Sequence, residues 1–379
     1  MPAQRVKEER KSMSIIETPV QLKHLTLKNR VVRSAVHSFL ADEDGRMTEA
    51  EYAMYVELAQ GGIGTIITGH CCVDPRGRAN ATQVNIYDDS YAAQFRRAAK
   101  IAHAAGAVLI PQISHAGPRA IGHDDLADVV ARPLKKGREA RALTHEEIKE
   151  IEHSFIAAAV RLKTAGCDGV QLHAAHSYLL SRFLDPTFNQ RTDDYGGSQE
   201  NRFRIVREII EGIQAACGAA FPILVKINLD TKHEDRAGYH AAMLYMLREF
   251  QRLGVELVEL SGVDFINQPR DATLYYLEEG ARLKAAVPGQ AMSLVGGVRS
   301  LADMERVLAA GFELVSLGRA LIAEPDFLRK ELAGGAPSIC VSCCRCFVLP
   351  EMHPGYRCVW QWKEARAKAR AQKAAAQDA

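Results

Sequence analysis

Eight short apolar runs, each followed by a helical pattern, constrain this 379-residue chain more than any single motif does. They are Val31–Val36, Ile63–Gly69, Ala107–Ser114, Gly169–His173, Pro222–Asn228, Val255–Gly262, Met292–Gly297 and Glu313–Gly318. Helical periodicity fills Thr48–Gln60, Asp89–Ala105, Thr144–Ala165, Ser198–Ala216, Ala241–Leu253, Ala272–Val287 and Ser300–Ala310, with a last helix from Glu324. Thr48, with Glu51 three residues on, reads as an N-terminal capping box. Ala-Gly or Leu-Gly before a strand, as at Ala165-Gly166 and Leu253-Gly254, reads as a helix C-cap feeding the next strand. Strand and helix in strict alternation predict a parallel sheet, and the count favours closure into an α/β (β/α)8 TIM barrel over a doubly wound open sheet. Val20–Asn29 alternates apolar and polar residues and predicts a small hairpin ahead of the barrel. We divide the chain into a disordered leader (1–12), a barrel (13–335) and a cysteine-rich extension with a basic tail (336–379).

Bulk properties exclude several classes. Lysine and arginine number 48 against 46 acidic residues, a net charge of +2 that gives no reason to expect nucleic acid or an acidic membrane as partner. No apolar run is long enough to span a bilayer, and the charged start MPAQRVKEERKSM lacks the apolar centre of a secretory signal. The expectation is a cytoplasmic protein, with a homo-oligomer left open.

In a barrel of this kind, chemistry belongs at the C-terminal ends of the strands. Gln112, Ser114 and His115 follow the third run, His173, His176 and Tyr178 the fourth, and Lys226 lies late in the fifth. Were residues 173–178 helical, the two histidines would share a face and Tyr178 would point away; a loop brings all three together. The plain alternative makes them satisfied structural groups. Gly296-Gly297 and Gly318-Arg319 end the seventh and eighth runs, the usual phosphate site of such barrels, although plain turns need glycine too.

These residues carry a resemblance. HAAHSYLLSRFLDPTFNQRTDDYGGSQENRFR (173–204), LKNRVVRSAVHS, AQGGIGTIITG, PQISHAG, VGGVRS and LGRALIAEPD stand in the order of the old yellow enzyme family, which this chain resembles from about residue 18 to about 335. The resemblance implies an FMN-binding barrel. Ser34, Ala35, His37, Gly69 and His70 would line the flavin ring, and Gln112 would meet its pyrimidine edge. Lys226 stands where most members have arginine, at the N1/O2 edge, where a cation stabilises the anionic reduced flavin. Gly297, Gly318 and Arg319 would hold the phosphate. His173 and His176 would grip a substrate oxygen and Tyr178 would supply a proton. One departure is Pro118, which intervenes before Arg119 in HAGPRA. Arg119 therefore stays outside the site set, with a surface salt bridge as its plain role.

Five of the nine cysteines fall between Cys340 and Cys358. The spacing of Cys340, Cys343, Cys346 and Cys358 suits four thiolates around one centre, iron–sulfur or zinc. The resemblance favours a [4Fe-4S] cluster, because a subgroup similar to 2,4-dienoyl-CoA reductase and trimethylamine dehydrogenase carries one after the barrel; Cys344 is then spare. No GxGxxG follows a strand, so electrons are expected from NAD(P)H at the substrate face or from an external electron-transfer protein. The expected function is FMN-dependent reduction of an activated C=C bond in a small unsaturated substrate (an enoate, enone or enoyl thioester), by hydride transfer from flavin N5 and protonation by Tyr178, with the [4Fe-4S] cluster relaying electrons. An amine dehydrogenase or demethylase of the same fold, or a non-catalytic flavin/Fe-S electron-transfer subunit, is the alternative.

Overall fold

The computed structural model describes residues 13–230, 232–348, 358–363, 367 and 370. The leader (1–12) and most of the basic tail therefore lie outside the described residues. Eight parallel strands close into a barrel: β1 Val31–Arg33, β2 Thr65–Cys72, β3 Val108–Ser114, β4 Val170–Ala174, β5 Ile223–Leu229, β6 Leu257–Gly262, β7 Met292–Val295 and β8 Leu314–Leu317. Around it run α1 Glu49–Gln60, α2 Ala92–Ala104, α3 His145–Thr164, α4 Leu179–Leu184, α5 Gln199–Cys217, α6 Arg236–Arg252, α7 Leu277–Ala286, α8 Leu301–Ala309, α9 Arg319–Ala323 and α10 Phe327–Leu332.

Alternation along each strand separates two cores. On β4, Val170 and Leu172 join the large core that also holds the helix residues, whereas Gln171 and His173 take the opposite face. The lower barrel interior is sealed by Val32, Ile67, Ile110, Leu224, Leu257 and Leu314. Against that layer the predicted hairpin, Val20–Gln21 with Thr26–Leu27, lays Val20, Leu22, Leu25 and Leu27. The N-terminal mouth is thus plugged with aliphatic side chains, each worth about 2–5 kcal/mol on truncation to alanine. Ligands are left the other end.

Local signals fared unevenly. Gly166 (φ 84°) and Gly254 (φ 73°) do end helices in the left-handed conformation that favours glycine. The capping box at Thr48 is a correction: the Thr48 side chain makes no cap bond and instead donates to the Leu40 carbonyl at 2.7 Å. Glu51 is buried and accepts from Ser38 Oγ (2.7 Å) and Tyr55 (3.1 Å), so tertiary partners outcompete the local one. Capping boxes form instead at Ser14/Glu17 and Thr144/Glu147. Helix α6 begins five residues before its predicted start, capped by Asp235, and α4 was not predicted at all.

The first strand is also shorter than its apolar run. After Arg33 the chain leaves the ladder, and the fully buried Arg33 guanidinium donates to the carbonyls of Ile67 (2.8 Å) and Val36 (3.1 Å). That fastens residues 34–37 across the open end of the barrel.

Candidate active site

At the C-terminal ends of the strands lies a cavity of about 560 Å³, a size usual for small-molecule sites. Strand register decides what faces it. Lys226 pairs in register with His173 on one side and Glu259 on the other, and Gln112 with Gln171. Level residues on neighbouring strands point the same way, so these polar groups meet inside the barrel. Gln112 Nε2 donates to Gln171 Oε1 (2.7 Å), Gln171 Nε2 to Glu259 Oε2 (3.1 Å), and Lys226 Nζ to Ser34 Oγ (2.8 Å), with Glu259 3.3 Å from Lys226. Lys226 is 3% exposed. Burial lowers its pKa, and the Glu259 charge works against that shift. Sequence reasoning found Lys226 but missed Glu259 and Gln171, whose only signal was an in-register position on the strands beside Lys226 and Gln112.

Past β4 the chain adopts a conformation that side-chain-bearing residues rarely take. His176 and Ser177 both sit at φ 60°. Asn228 Oδ1 holds the strained turn by accepting from the His176 backbone N–H at 2.7 Å, and His176 Nε2 lies 3.0 Å from Ser261 Oγ. The turn replaces the helix that would have separated the trio. The His173 ring centroid is 5.3 Å from His176 and 4.8 Å from Tyr178. His173 Nδ1 is buried with no hydrogen-bond partner, an uncommon state that a ligand would relieve.

His70 joins this group from β2, where a bulge between Ile67 and His70 re-aims the strand. Ala79 N–H donates to Gln83 Oε1 (2.6 Å), which turns Gln83 Nε2 toward His70 Nδ1 (2.7 Å). In the neutral ring the proton then resides on Nε2, which faces the Tyr178 hydroxyl at 3.4 Å. Tyr178 is left with its own O–H proton for another acceptor. Burial holds all these imidazoles neutral: it pushes His176 down to about 3 and His37 to about 4, and puts His70 and His173 well below their ordinary value. Burial likewise raises Tyr178, which stays protonated.

The cavity also receives Ser34, Ala35, His37, Gln112, Lys226, Gly297, Gly318 and Arg319. Gly69 is not among the residues lining the cavity; a Cβ there would lie 3.1 Å from the Val36 carbonyl, so its smallness permits close packing. Gly297 (φ 74°) has a packing role as well, because a Cβ would come within 2.6 Å of the Tyr275 ring. Gly318 is different: an added Cβ meets nothing closer than Val36 at 3.8 Å. Arg319 donates to Cys344 Sγ (2.8 Å), to the Ser342 carbonyl (3.4 Å) and to the Tyr275 hydroxyl.

The cysteine extension crosses this end of the cavity, where Cys340, Ser342 and Phe347 join the lining. Cys340, Cys343, Cys346 and Cys358 are half-buried, and Cys344 is buried. Burial is the leading cause that raises Cys340 and pushes Cys346 up to about 12. Among the described residues no three ligating side chains are arranged to hold a metal ion. No helix among them is long and apolar enough to cross a membrane.

Comparison with known proteins agrees with this architecture. The sequence profile of the NADH:flavin oxidoreductase / NADH oxidase family matches residues 16–335. NADH oxidase of Thermoanaerobacter brockii is 34% identical over 334 residues, which are 84% of this chain and 51% of that protein. NADPH dehydrogenase of Bacillus subtilis (strain 168) is 30% identical over 325 residues, 82% of this chain and 92% of that protein. A 2-naphthoyl-CoA reductase complexed with 2-naphthoyl-CoA superposes with a TM-score of 0.81 at 23% identity, covering 88% of this chain and 54% of the reductase. The chain thus spans about half the length of the Thermoanaerobacter relative and of the reductase. The fold, the profile match through the whole barrel and the two curated relatives converge: the chain belongs to the NADH:flavin oxidoreductase / NADH oxidase family of FMN-dependent oxidoreductases.

Proposed function

We propose that the chain reduces a C=C bond conjugated to a carbonyl group. The observation that carries this reading is the convergence of His173, His176 and Tyr178 on one wall of the cavity, with neutral imidazoles beside a protonated phenol. FMN fits the cavity on the chemistry present: the open space at Gly318, and cations at both ends in Lys226 and Arg319. Ser34, Ala35, His37, Gln112, Lys226, Gly297, Gly318 and Arg319 would hold it, with Glu259 3.3 Å behind Lys226. Bound FMN supplies the hydride that reaches the β-carbon.

The protein side of the reaction follows from charge. Hydride addition puts negative charge on the substrate carbonyl oxygen, and His173 and His176 offer N–H groups to it without having to ionise. Tyr178 gives its proton to the α-carbon, and His70 Nε2–H stabilises the oxygen left behind. An amine dehydrogenase would instead admit a cationic substrate, yet Arg119 and Lys226 line this cavity and, among the described residues, no aspartate or glutamate does. Electrostatics favour the alkene.

The decisive experiment separates the two half-reactions under anaerobic conditions. Tyr178→Phe is expected to leave flavin reduction by NAD(P)H intact and to slow alkene reduction by roughly 10²–10⁴-fold, the usual worth of a general acid. Alkene reduction at the unaltered rate would remove Tyr178 from the mechanism.

We further propose a [4Fe-4S] cluster on Cys340, Cys343, Cys346 and Cys358, supported by their spacing and half-buried placement, with Cys340 on the cavity wall. The thiols do not stand in a ligating arrangement among the described residues, so no electron-transfer step is derived from them. Anaerobic purification with iron, sulfide and zinc assays tests it: about four irons per chain support the cluster, and zinc without iron sinks it. The electron donor is NAD(P)H or an external electron-transfer protein, and the cytoplasm is the proposed compartment.

A further inference from the structure

Among the described residues the lining of the cavity contains no aspartate or glutamate but holds Arg119, Lys226, Arg299 and Arg319. Three of these cations have evident work. Lys226 is neutralised from behind by Glu259. Arg299 and Arg319 stand with the β7 and β8 ends, where a cofactor phosphate would sit; Arg299 reaches the carbonyls of Arg270 (2.9 Å) and Asp271 (2.8 Å). Arg119 is left over.

Its position is set by the insertion that sequence reasoning flagged as a departure. Gly117 (φ 58°) and the buried Pro118 form a short 3-10 turn, Gly117–Arg119, that swings the arginine back over the β4 loop. Arg119 Nη1 donates to the His176 carbonyl at 2.9 Å, and its guanidinium carbon lies 5.4 Å from the Tyr178 ring centroid. The surface salt bridge expected for it does not form: no carboxylate among the described residues pairs with Arg119, although the side chain is exposed at the cavity mouth. Burial dominates the shifts of His70, His173, His176 and Tyr178, and the nearby Arg119 charge works toward a lower pKa at each, adding to burial at the histidines and opposing it at Tyr178. Around it the mouth is apolar, with Phe39, Val263, Phe265 and Ile266. An exposed guanidinium anchored at the cavity rim, with no carboxylate among the described residues paired to it, is free to meet an anion from outside.

We propose that Arg119 forms a carboxylate subsite, so that the preferred substrate is an apolar molecule carrying a carboxylate beside its reducible C=C bond. The closeness of Arg119 to Tyr178 keeps that anion near the reacting carbons, which a phosphate at the end of a long thioester carrier would not be. The choice of substrate rests on the alkene-reductase reading, but the subsite is tested by binding alone. The probes are 3-phenylpropanoate and 3-phenylpropanamide, which are saturated and of the same shape. Each is titrated calorimetrically into oxidised, FMN-loaded full-length protein.

The carboxylate is expected to bind roughly ten- to a hundredfold more tightly than the amide, the range for a hydrogen bond to a charged group. Arg119→Gln should close that gap to within about twofold by weakening the carboxylate alone, and Arg119→Lys should keep part of it. Equal affinity for the two probes in the unaltered protein, or equal weakening of both in Arg119→Gln, overturns the subsite. Should Arg119→Gln fail to retain FMN, salt dependence in the unaltered protein decides: the advantage of the carboxylate must shrink from low to high ionic strength, and an advantage indifferent to salt overturns the proposal. Selective carboxylate binding without alkene reduction would uphold the subsite and remove the proposed reaction.

Discussion

The β4 end and the β8 end of the barrel are both built from residues that the motifs singled out, yet they differ in how complete they stand. At the β4 end His173, His176, Tyr178 and His70 have their rings within 4.8–6.1 Å of a neighbour in the group, and supporting bonds from Gln83, Asn228 and Ser261 hold them. The strained turn at His176 and Ser177 is held by the Asn228 side chain. At the β8 end Arg319 spends its donors on Ser342, Cys344 and Tyr275. The thiols beside it are not arranged as ligands among the described residues. A substrate wall can be assembled by packing and hydrogen bonds, whereas a metal centre gains much of its geometry from the bond to the metal itself.

That contrast can be broken by experiment. His173→Ala is expected to cost roughly 10²–10³-fold in kcat for alkene reduction, as loss of one preorganised oxyanion donor does, with flavin content unchanged; a drop in flavin content of the same size would move His173 into cofactor binding. Arg319→Ala should weaken FMN about tenfold or more, the loss of one charge-assisted contact, measured by fluorescence titration of the apoprotein. Unchanged affinity would mean that Arg319 serves the extension only. Cys346→Ser should abolish bound iron and Cys344→Ser retain it, read by iron assay after anaerobic purification. The reverse result would reassign the spare thiol.

The smallest effect concerns pH. His37 and His115 are held at about 4 and His176 at about 3 by burial, against 6.5 in the unfolded chain. Below about pH 6.5 the unfolded chain binds protons that the folded chain refuses until pH 4 or lower, so these groups make stability fall as pH drops through that window. Thermal melts from pH 7 to pH 4 should show it. His115→Gln should flatten the curve, and an unchanged slope would remove His115 from the account.

Much of this was legible in the sequence, and the failures share one cause. The eight strands and the plugging hairpin follow from local apolar patterning that the fold merely collects. The Thr48 cap failed because Glu51 found Ser38 and Tyr55, partners distant in space until the chain folds. Arg119 was set aside because a surface salt bridge explains most arginines, and only the folded turn shows that no carboxylate among the described residues is paired with it. Glu259 and Gln171 carried no motif; register alone gave them meaning.

By itself the sequence determined the barrel, the end of it that carries chemistry, and the candidate residues, because periodicity and strand-end position are properties of short segments. Tertiary structure decided which of those residues share a cavity, which charges are compensated and which is left open. Those depend on distances between strands remote in sequence, and on burial, which sets the protonation of every histidine in the site.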